Sequence, residues 1–266
     1  MPSYQYIEQL SIALINNSPC MNKIVLFALI LFLLSCKSQD NFVIDENTSL
    51  EPKSTGEIVT HTYYSLAYSE NDEQAYWVFY HLTPDLINGT QSRTDDFRED
   101  PALSTGSATL LDYKGSGYDR GHLCPAADMT MNQTSMSESF FMSNMSPQTP
   151  GFNRGIWSKL EKQIRDWAIQ YNGLYIATGG ILKENKGTIG ENKVTIPISF
   201  YKVIYSEQNG MIAFILPNGK STKDLSQFVV SVDSVESITG IDFFSGLDDK
   251  TEYILESTSD VLLWDW

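Results

Sequence analysis

The chain opens on an unbroken apolar run, residues 24–34 (IVLFALILFLL). A membrane-spanning helix takes about 20 apolar residues, so this run is too short to be one, and it has the length of the apolar core of an export signal. A weakly patterned polar stretch follows. Residues 59–68 (VTHTYYSLAY) and 75–82 (AYWVFYHL) are rich in aromatic and β-branched side chains and predict strands. Residues 92–106 read as a loop and 112–118 (DYKGSGY) as a Gly/Ser turn. Residues 139–144 (SFFMSN) predict a short strand. The two prolines and glycine of 146–151 (SPQTPG) predict a loop.

From Asn153 the period changes. Ile156, Leu160, Ile164, Trp167, Ala168 and Tyr171 recur at helical spacing and form one apolar stripe, with Asn153 as N-cap and Gly173 as stop. Glu161 and Arg165 project one turn apart from the flank of that stripe. Strands are predicted at 174–178, 193–205 and 211–216, the last two joined through Asn209-Gly210, a pair suited to a hairpin turn. Short helices are predicted at 232–238 and 248–256. Together these elements make an α+β fold, a single domain on a mixed, largely antiparallel sheet.

Composition narrows the picture. With 42% hydrophobic residues, of which aromatics are a sizeable part, the chain can bury a core and is not globally disordered. A formal net charge of −15 repels nucleic acid at long range. The acids, however, gather from Asp224 onward, where Lys250 is the single base, whereas between Arg93 and Arg165 acids and bases nearly balance. Charge therefore does not exclude a polyanion at that middle segment.

The apolar run ends in Leu33-Leu34-Ser35-Cys36, which resembles a bacterial lipoprotein signal, with Leu34 a departure and Cys36 the lipidated residue. Met21 stands where such a signal begins. Residues 1–36 are therefore expected to be an upstream extension plus signal peptide, 37–57 a flexible tether and 58–266 the working domain. The expected location is exported and membrane-anchored, facing the periplasm or cell surface, with a secreted or soluble periplasmic protein as the alternative. Cys124 is then the one thiol of the body and offers no disulfide framework.

The densest chemistry lies in residues 118–129 (YDRGHLCPAADM). His122 is the side chain best suited to take a proton near neutral pH. Arg120 offers a planar fork for phosphate or carboxylate, and Asp119 would orient Arg120 or the backbone. With Asn153, Glu161 and Arg165 this set lacks a serine triad and lacks the ligands of a zinc site. It suits water attack on an anionic ester beside a hard cation held by oxygen. Bland readings stand beside each element: a salt-bridged turn at Asp119–His122, a helix cap at Asn153, and a surface Glu161–Arg165 pair worth about 0.3–0.5 kcal/mol. Cys124 raises a thiol nucleophile but reads better as a small buried residue. His61 and His81, in predicted strands, read as structural.

YDRGHLCPAADM followed by FFMSNMSPQTPGFNRGIWSKLEKQIRDWA resembles the DNA/RNA non-specific endonuclease family, relatives of endonuclease G with a ββα-metal active site. LYIATGG, VTIPISFYKVIY, AFILPN and ITGIDFF are similar as well. The resemblance implies a Mg²⁺-dependent endonuclease of DNA and RNA, with Mn²⁺ substituting, which the leader would export. It implies His122 as general base, Asn153 as the metal's direct protein ligand and Glu161 as the residue orienting the metal's water shell. Arg120 and Arg165 fall near the scissile phosphate, and Asn144 supports the site from the strand facing His122. Arg93, or Arg98 as the second choice, is implied as an upstream phosphate contact. The rival is a non-catalytic cell-surface lipoprotein, held to the membrane through Cys36, that binds a polyanionic ligand in the same groove.

Overall fold

A computed structural model describes residues 49–257 and 261–266, all within one compact unit. The apolar run and Cys36 lie outside the described residues. Among the described residues no helix is long and apolar enough to cross a membrane.

The strands are β1 (Glu57–Thr60), β2 (Ser65–Ser69), β3 (Gln74–Leu82), β4 (Asp119–His122), β5 (Met145–Gln148), β6 (Leu174–Gly180), β7 (Asn185–Ile189), β8 (Val194–Pro197), β9 (Ser199–Ser206), β10 (Gly210–Pro217) and β11 (Val229–Val230). Seven of them form the central sheet, in the order β1-β2-β3-β6-β9-β10-β11, every neighbouring pair antiparallel. The pairs β4-β5 and β7-β8 are separate two-stranded ribbons.

Successive strand side chains point to opposite faces, and here both faces are covered. Val78, Tyr80 and Leu82 of β3, Leu174 and Ile176 of β6, Phe200 and Ile204 of β9 and Phe214 and Leu216 of β10 join one cluster. Helix α1 (Ser158–Gln170) adds Leu160, Ile164, Trp167 and Ala168 to it. The intervening residues Trp77, Ala177, Tyr201, Val203 and Tyr205 join a second cluster with Val232 and Val235 of helix α2 (Val232–Thr239) and Leu255 of helix α3 (Asp249–Glu256). Burial on both faces is why these strands read as near-continuous apolar runs. One position breaks the pattern. Lys202 lies between Phe200 and Ile204 on the α1 face and is fully buried.

Several elements depart from the sequence expectation. Residues 59–68 are two strands: the backbone N–H of His61 donates to Tyr64 O at 2.8 Å, and β1 folds back on β2. Residues 139–144 hold a single 3₁₀ turn, Met142–Asn144, and the strand comes after it, as β5, inside the stretch expected to be a loop. Pro147 is tolerated because β5 belongs to a two-stranded ribbon, where one side needs no ladder donor. Residues 193–205 break into β8 and β9 at Ile198, whose carbonyl accepts from Asn218 N at 2.8 Å. The end of the expected tether is packed: Leu50 is buried and Lys53 exchanges two backbone hydrogen bonds with Asp242.

Candidate active site

The ribbon β4-β5 and the start of α1 carry the site. Gly121 pairs with Ser146, and a Cβ at Gly121 would lie 2.1 Å from the buried Gln148 side chain, which would have to move for any larger residue. His122, next along, pairs with Met145. Its imidazole sits 5.7 Å from the Phe97 ring and 5.0 Å, edge to face, from the Phe140 ring. Each phenyl is capped by an arginine: Arg120 lies 4.1 Å over Phe97 and Arg93 4.7 Å over Phe140. The residue as a whole is partly buried, but its Nε2 is shut off from solvent and has no hydrogen-bond partner. Burial and then the charges of Arg93 and Arg120 push the His122 pKa down to about 3. At neutral pH the imidazole is uncharged and able to accept a proton.

Asn153 does not cap its helix. It lies inside a π-helical segment, Phe152–Trp157, broken at Gly155, whose φ −113° and ψ −110° are non-helical, and which leads into α1. Asn153 Nδ2 donates to Asp119 Oδ2 at 2.9 Å, which leaves Asn153 Oδ1 uncommitted among the described residues. Asp119 also accepts from Arg154, Nη2 at 2.6 Å and Nε at 2.9 Å. The expectation that Asp119 orients Arg120 or the backbone is thus corrected: it grips Asn153 and Arg154, while Arg120 is stacked on Phe97.

Glu161 and Arg165 do not form the surface pair that their i, i+4 spacing suggests. Arg165 Nη1 donates instead to Oδ1 of buried Asp128 at 2.8 Å, and Asp128 Oδ2 accepts from Tyr80 Oη at 3.0 Å. Burial raises the Asp128 carboxyl, with Arg165 opposing. Lys202 Nζ lies 3.3 Å from Leu123 O and 3.3 Å from Thr178 Oγ1, and 4.7 Å over the Trp157 ring. Burial lowers the Lys202 pKa, against Glu161 and Asp128, which favour its charge. For Glu161, burial pushes the carboxyl up to about 7; Lys202 opposes this most, Asp128 adds to it, and Arg165 and Arg93 oppose it further. Two acids and two bases thus share one poorly solvated cluster beneath the histidine.

Asn144 is fully buried in the turn before β5, not in a strand. Its Oδ1 accepts from Cys124 N at 2.8 Å, and its Nδ2 donates to Cys124 O at 2.9 Å and Ser139 O at 2.8 Å. It therefore clamps the backbone leaving His122. Cys124 is fully buried and burial raises its thiol pKa, so the nucleophile reading fails. Arg98 is engaged elsewhere: it stacks 4.1 Å over Phe141 and donates to Asp96 Oδ2 and Ser137 O, each at 3.0 Å. His61 bonds Asp100 at 2.9 Å. Beside Arg120 opens a cavity of about 360 Å³, whose lining includes Leu111, Tyr113, Lys114, Tyr118 and Asp119.

Sequence reasoning missed Asp128 and Lys202. Asp128 stood inside the motif itself, where an acid among apolar neighbours at ADM was the available signal. Lys202 was a cation within a strand of buried spacing, a signal that parity with Phe200 and Ile204 carries.

Residues 46–250 match the family model described as DNA/RNA non-specific endonuclease. The chain is 37% identical over 221 residues to Nuclease C1 of Cunninghamella echinulata var. echinulata, covering 76% of this chain and 88% of that one. It is 34% identical over 198 residues to mitochondrial endonuclease G of Homo sapiens, covering 68% and 67%. Among solved structures, a chain of the EndoG/EndoGI complex superposes with a TM-score of 0.69 at 31% identity, covering 74% of this chain and 89% of that one.

Proposed function

The chain belongs to the DNA/RNA non-specific endonuclease family, a family of metal-dependent nucleases, and from that premise we propose that it hydrolyses phosphodiester bonds of DNA and RNA with Mg²⁺, His122 acting as general base. The observation that carries this reading is the unpartnered Nε2 of His122, whose ring is kept neutral by burial and then by Arg93 and Arg120, two arginines that also suit a phosphate. A buried acceptor with nothing to accept from is costly unless the substrate's water fills the place.

In this reading the neutral imidazole of His122 takes the proton of the attacking water. Asn153, its amide turned by Asp119, presents Oδ1 as the protein's oxygen ligand to the cation, a donor that suits Mg²⁺ and also Mn²⁺. When bound, the cation would supply Lewis-acid stabilisation of the charge gathering on the phosphate. Glu161, ionised with the help of Lys202, accepts hydrogen bonds from water. Arg93 and Arg120 face the phosphate from the two phenyl platforms, and Arg165, held by Asp128, adds a third cation where negative charge develops and where the 3′-oxygen departs. Asn144 positions the backbone after His122. Contacts of this kind go to phosphate and carry no base information, which supports cleavage of both nucleic acids with little sequence preference. The cavity beside Arg120 offers room for a flanking nucleotide.

A binding-only lipoprotein has no use for the unpartnered base, and no observation favours it. The test is incubation of the purified chain with plasmid DNA and with single-stranded RNA, in Mg²⁺ and in EDTA. Cleavage of both in Mg²⁺ and of neither in EDTA is expected. Intact nucleic acid in Mg²⁺ and Mn²⁺, combined with measurable binding, would favour the rival.

We also propose export and lipid anchoring through Cys36, supported by the apolar run of residues 24–34 and the sequence that closes it. Incorporation of labelled palmitate that disappears in Cys36→Ser is expected; equal labelling of the variant would contradict the anchor.

A further inference from the structure

Across the sheet from the nuclease site, α2 and α3 bring a second set of acids together. Asp233 and Glu236 come from α2, Glu256 from the end of α3, and one carboxylate oxygen of each lies within 4.8 Å of the others. Asp242, in the connecting loop, and Glu252, one turn before Glu256, add their charge to Glu256. Lys53 is the cation that opposes this charge, at Glu252.

Acids crowd together on many surfaces without consequence, but here one side chain is buried and a second has a shielded oxygen. Glu256 is only 6% exposed, and its Oε1 has neither solvent nor a hydrogen-bond partner. Glu252 Oε1 is in the same condition. Buried carboxylate oxygens are expensive to leave unpaired, and the acids around Glu256 make its ionised form costlier still. Burial, then Glu236, Glu252, Asp233 and Asp242, push the Glu256 carboxyl up to about 8. The local fold meanwhile keeps the acids where they are. Glu236 Oε1 accepts from Phe243 N at 2.8 Å, leaving its other oxygen free, and Gly240, in the left-handed conformation at φ 77°, turns the chain at the end of α2. Leu255 and Val235 pack the two helices into the second apolar cluster.

We propose that Asp233, Glu236 and Glu256 form a site for Ca²⁺ that staples the C-terminal helix α3 to α2. The donors are all hard oxygens, which Ca²⁺ prefers. Ca²⁺ takes several carboxylates in a flexible shell, whereas Mg²⁺ demands near-ideal octahedral geometry and gives up its waters reluctantly, so three carboxylates with oxygens within 4.8 Å of one another favour the larger ion. The site stands on the opposite face of the sheet from Lys202 and α1, so it is separate from the nuclease centre and its ion is structural. Asp233 is exposed, which gives the ion an open path and water ligands.

The test is thermal unfolding of the full chain in EDTA and in about 1 mM CaCl₂. The wild type should gain roughly 5 °C in Ca²⁺, the shift of a ligand present at about 100 times its dissociation constant. Asn153→Ala, which disables the nuclease centre, should keep that gain. The double variant Asp233→Asn/Glu256→Gln should lose it while cleaving DNA in Mg²⁺ at the wild-type rate. Asp233→Asn alone, at an exposed position, should raise the calcium midpoint about tenfold. A calcium gain of equal size in the double variant would overturn the proposal, as would its absence from the wild type or its loss in Asn153→Ala. If a proton rather than a metal satisfies Glu256, the wild type shows no calcium gain.

Discussion

The side-chain amide of Asn153 donates to the Asp119 carboxylate across 2.9 Å, joining two segments 34 residues apart in sequence. Through this one hydrogen bond the ribbon that carries His122 sets the rotation of the asparagine at the start of α1. Asp119 is held in turn by Arg154, so the asparagine's amide nitrogen is committed and its oxygen is turned away. Groups that orient a ligand in this way carry much of its affinity.

Asp119→Ala is therefore expected to raise the Mg²⁺ concentration for half-maximal cleavage by about 10–100-fold, with the fold intact. A magnesium titration of the cleavage rate reads it. An unchanged midpoint would mean that Asn153 needs no such support.

The two candidate upstream arginines differ in what they face. Arg93, half exposed and paired with Asp95 at 2.6 Å, lies over Phe140 beside His122, whereas Arg98 lies over Phe141 and is held by Asp96 and Ser137. Arg93→Ala should lower kcat/KM by about 10²-fold with little change in stability. Arg98→Ala should leave kcat/KM near wild type and cost about 1 kcal/mol of stability in urea unfolding. The opposite pattern would exchange their roles.

Lys202→Met keeps the volume of a buried residue and removes its charge. The Glu161 carboxyl loses its strongest opposing influence and should rise above about 7. Glu161 acts as an acceptor when ionised, so the acid limb of the rate–pH profile should move to higher pH while the alkaline plateau survives. Removing one member of a buried charge cluster costs about 3–5 kcal/mol, so the variant should also unfold at lower denaturant. An acid limb left in place would remove Lys202 from the site's electrostatics.

His122 couples stability to pH with a definite sign. Its folded pKa lies near 3, below its ordinary value of about 6.5, so the unfolded chain takes the proton first as pH falls. The stability of the neutral buried ring is present above about pH 6.5 and is lost progressively toward pH 3. Between pH 7.5 and pH 5.5 that loss is about 1 kcal/mol. His122→Ala should lack it, so the difference in unfolding free energy between wild type and variant should fall by that amount, measured in EDTA. Equal pH dependence in both would mean that the ring is not protected from protonation.

The sequence disclosed the parts of this protein whose signals are periodic or local. The stripe from Ile156 to Tyr171 reads as a helix because α1 has one buried face, and Gly210 marks its hairpin because the chain leaves the turn there at a positive φ of 73°. It concealed what depends on distant partners. The chain reverses at His61–Tyr64 without glycine or proline, so β1 and β2 read as one strand. The prolines around β5 speak for a loop until β4 is there to pair with it. In the site, His122 and Asn153 stand in recognisable strings, whereas Lys202 shows only its parity with Phe200 and Ile204, and its charge acquires a role once α1 covers that face. Asp128 has no meaning before Arg165 and Tyr80 reach it across the fold.

The most direct test of the central claim removes the base and returns it. His122→Ala takes an imidazole out of the space between Phe97 and Phe140, leaving a cavity of its own shape. Plasmid cleavage in Mg²⁺ by this variant should fall by at least about 10²-fold and recover, in proportion to concentration, when free imidazole is added at slightly alkaline pH. Cleavage by His122→Ala at the wild-type rate, with or without imidazole, would contradict His122 as the base that activates water.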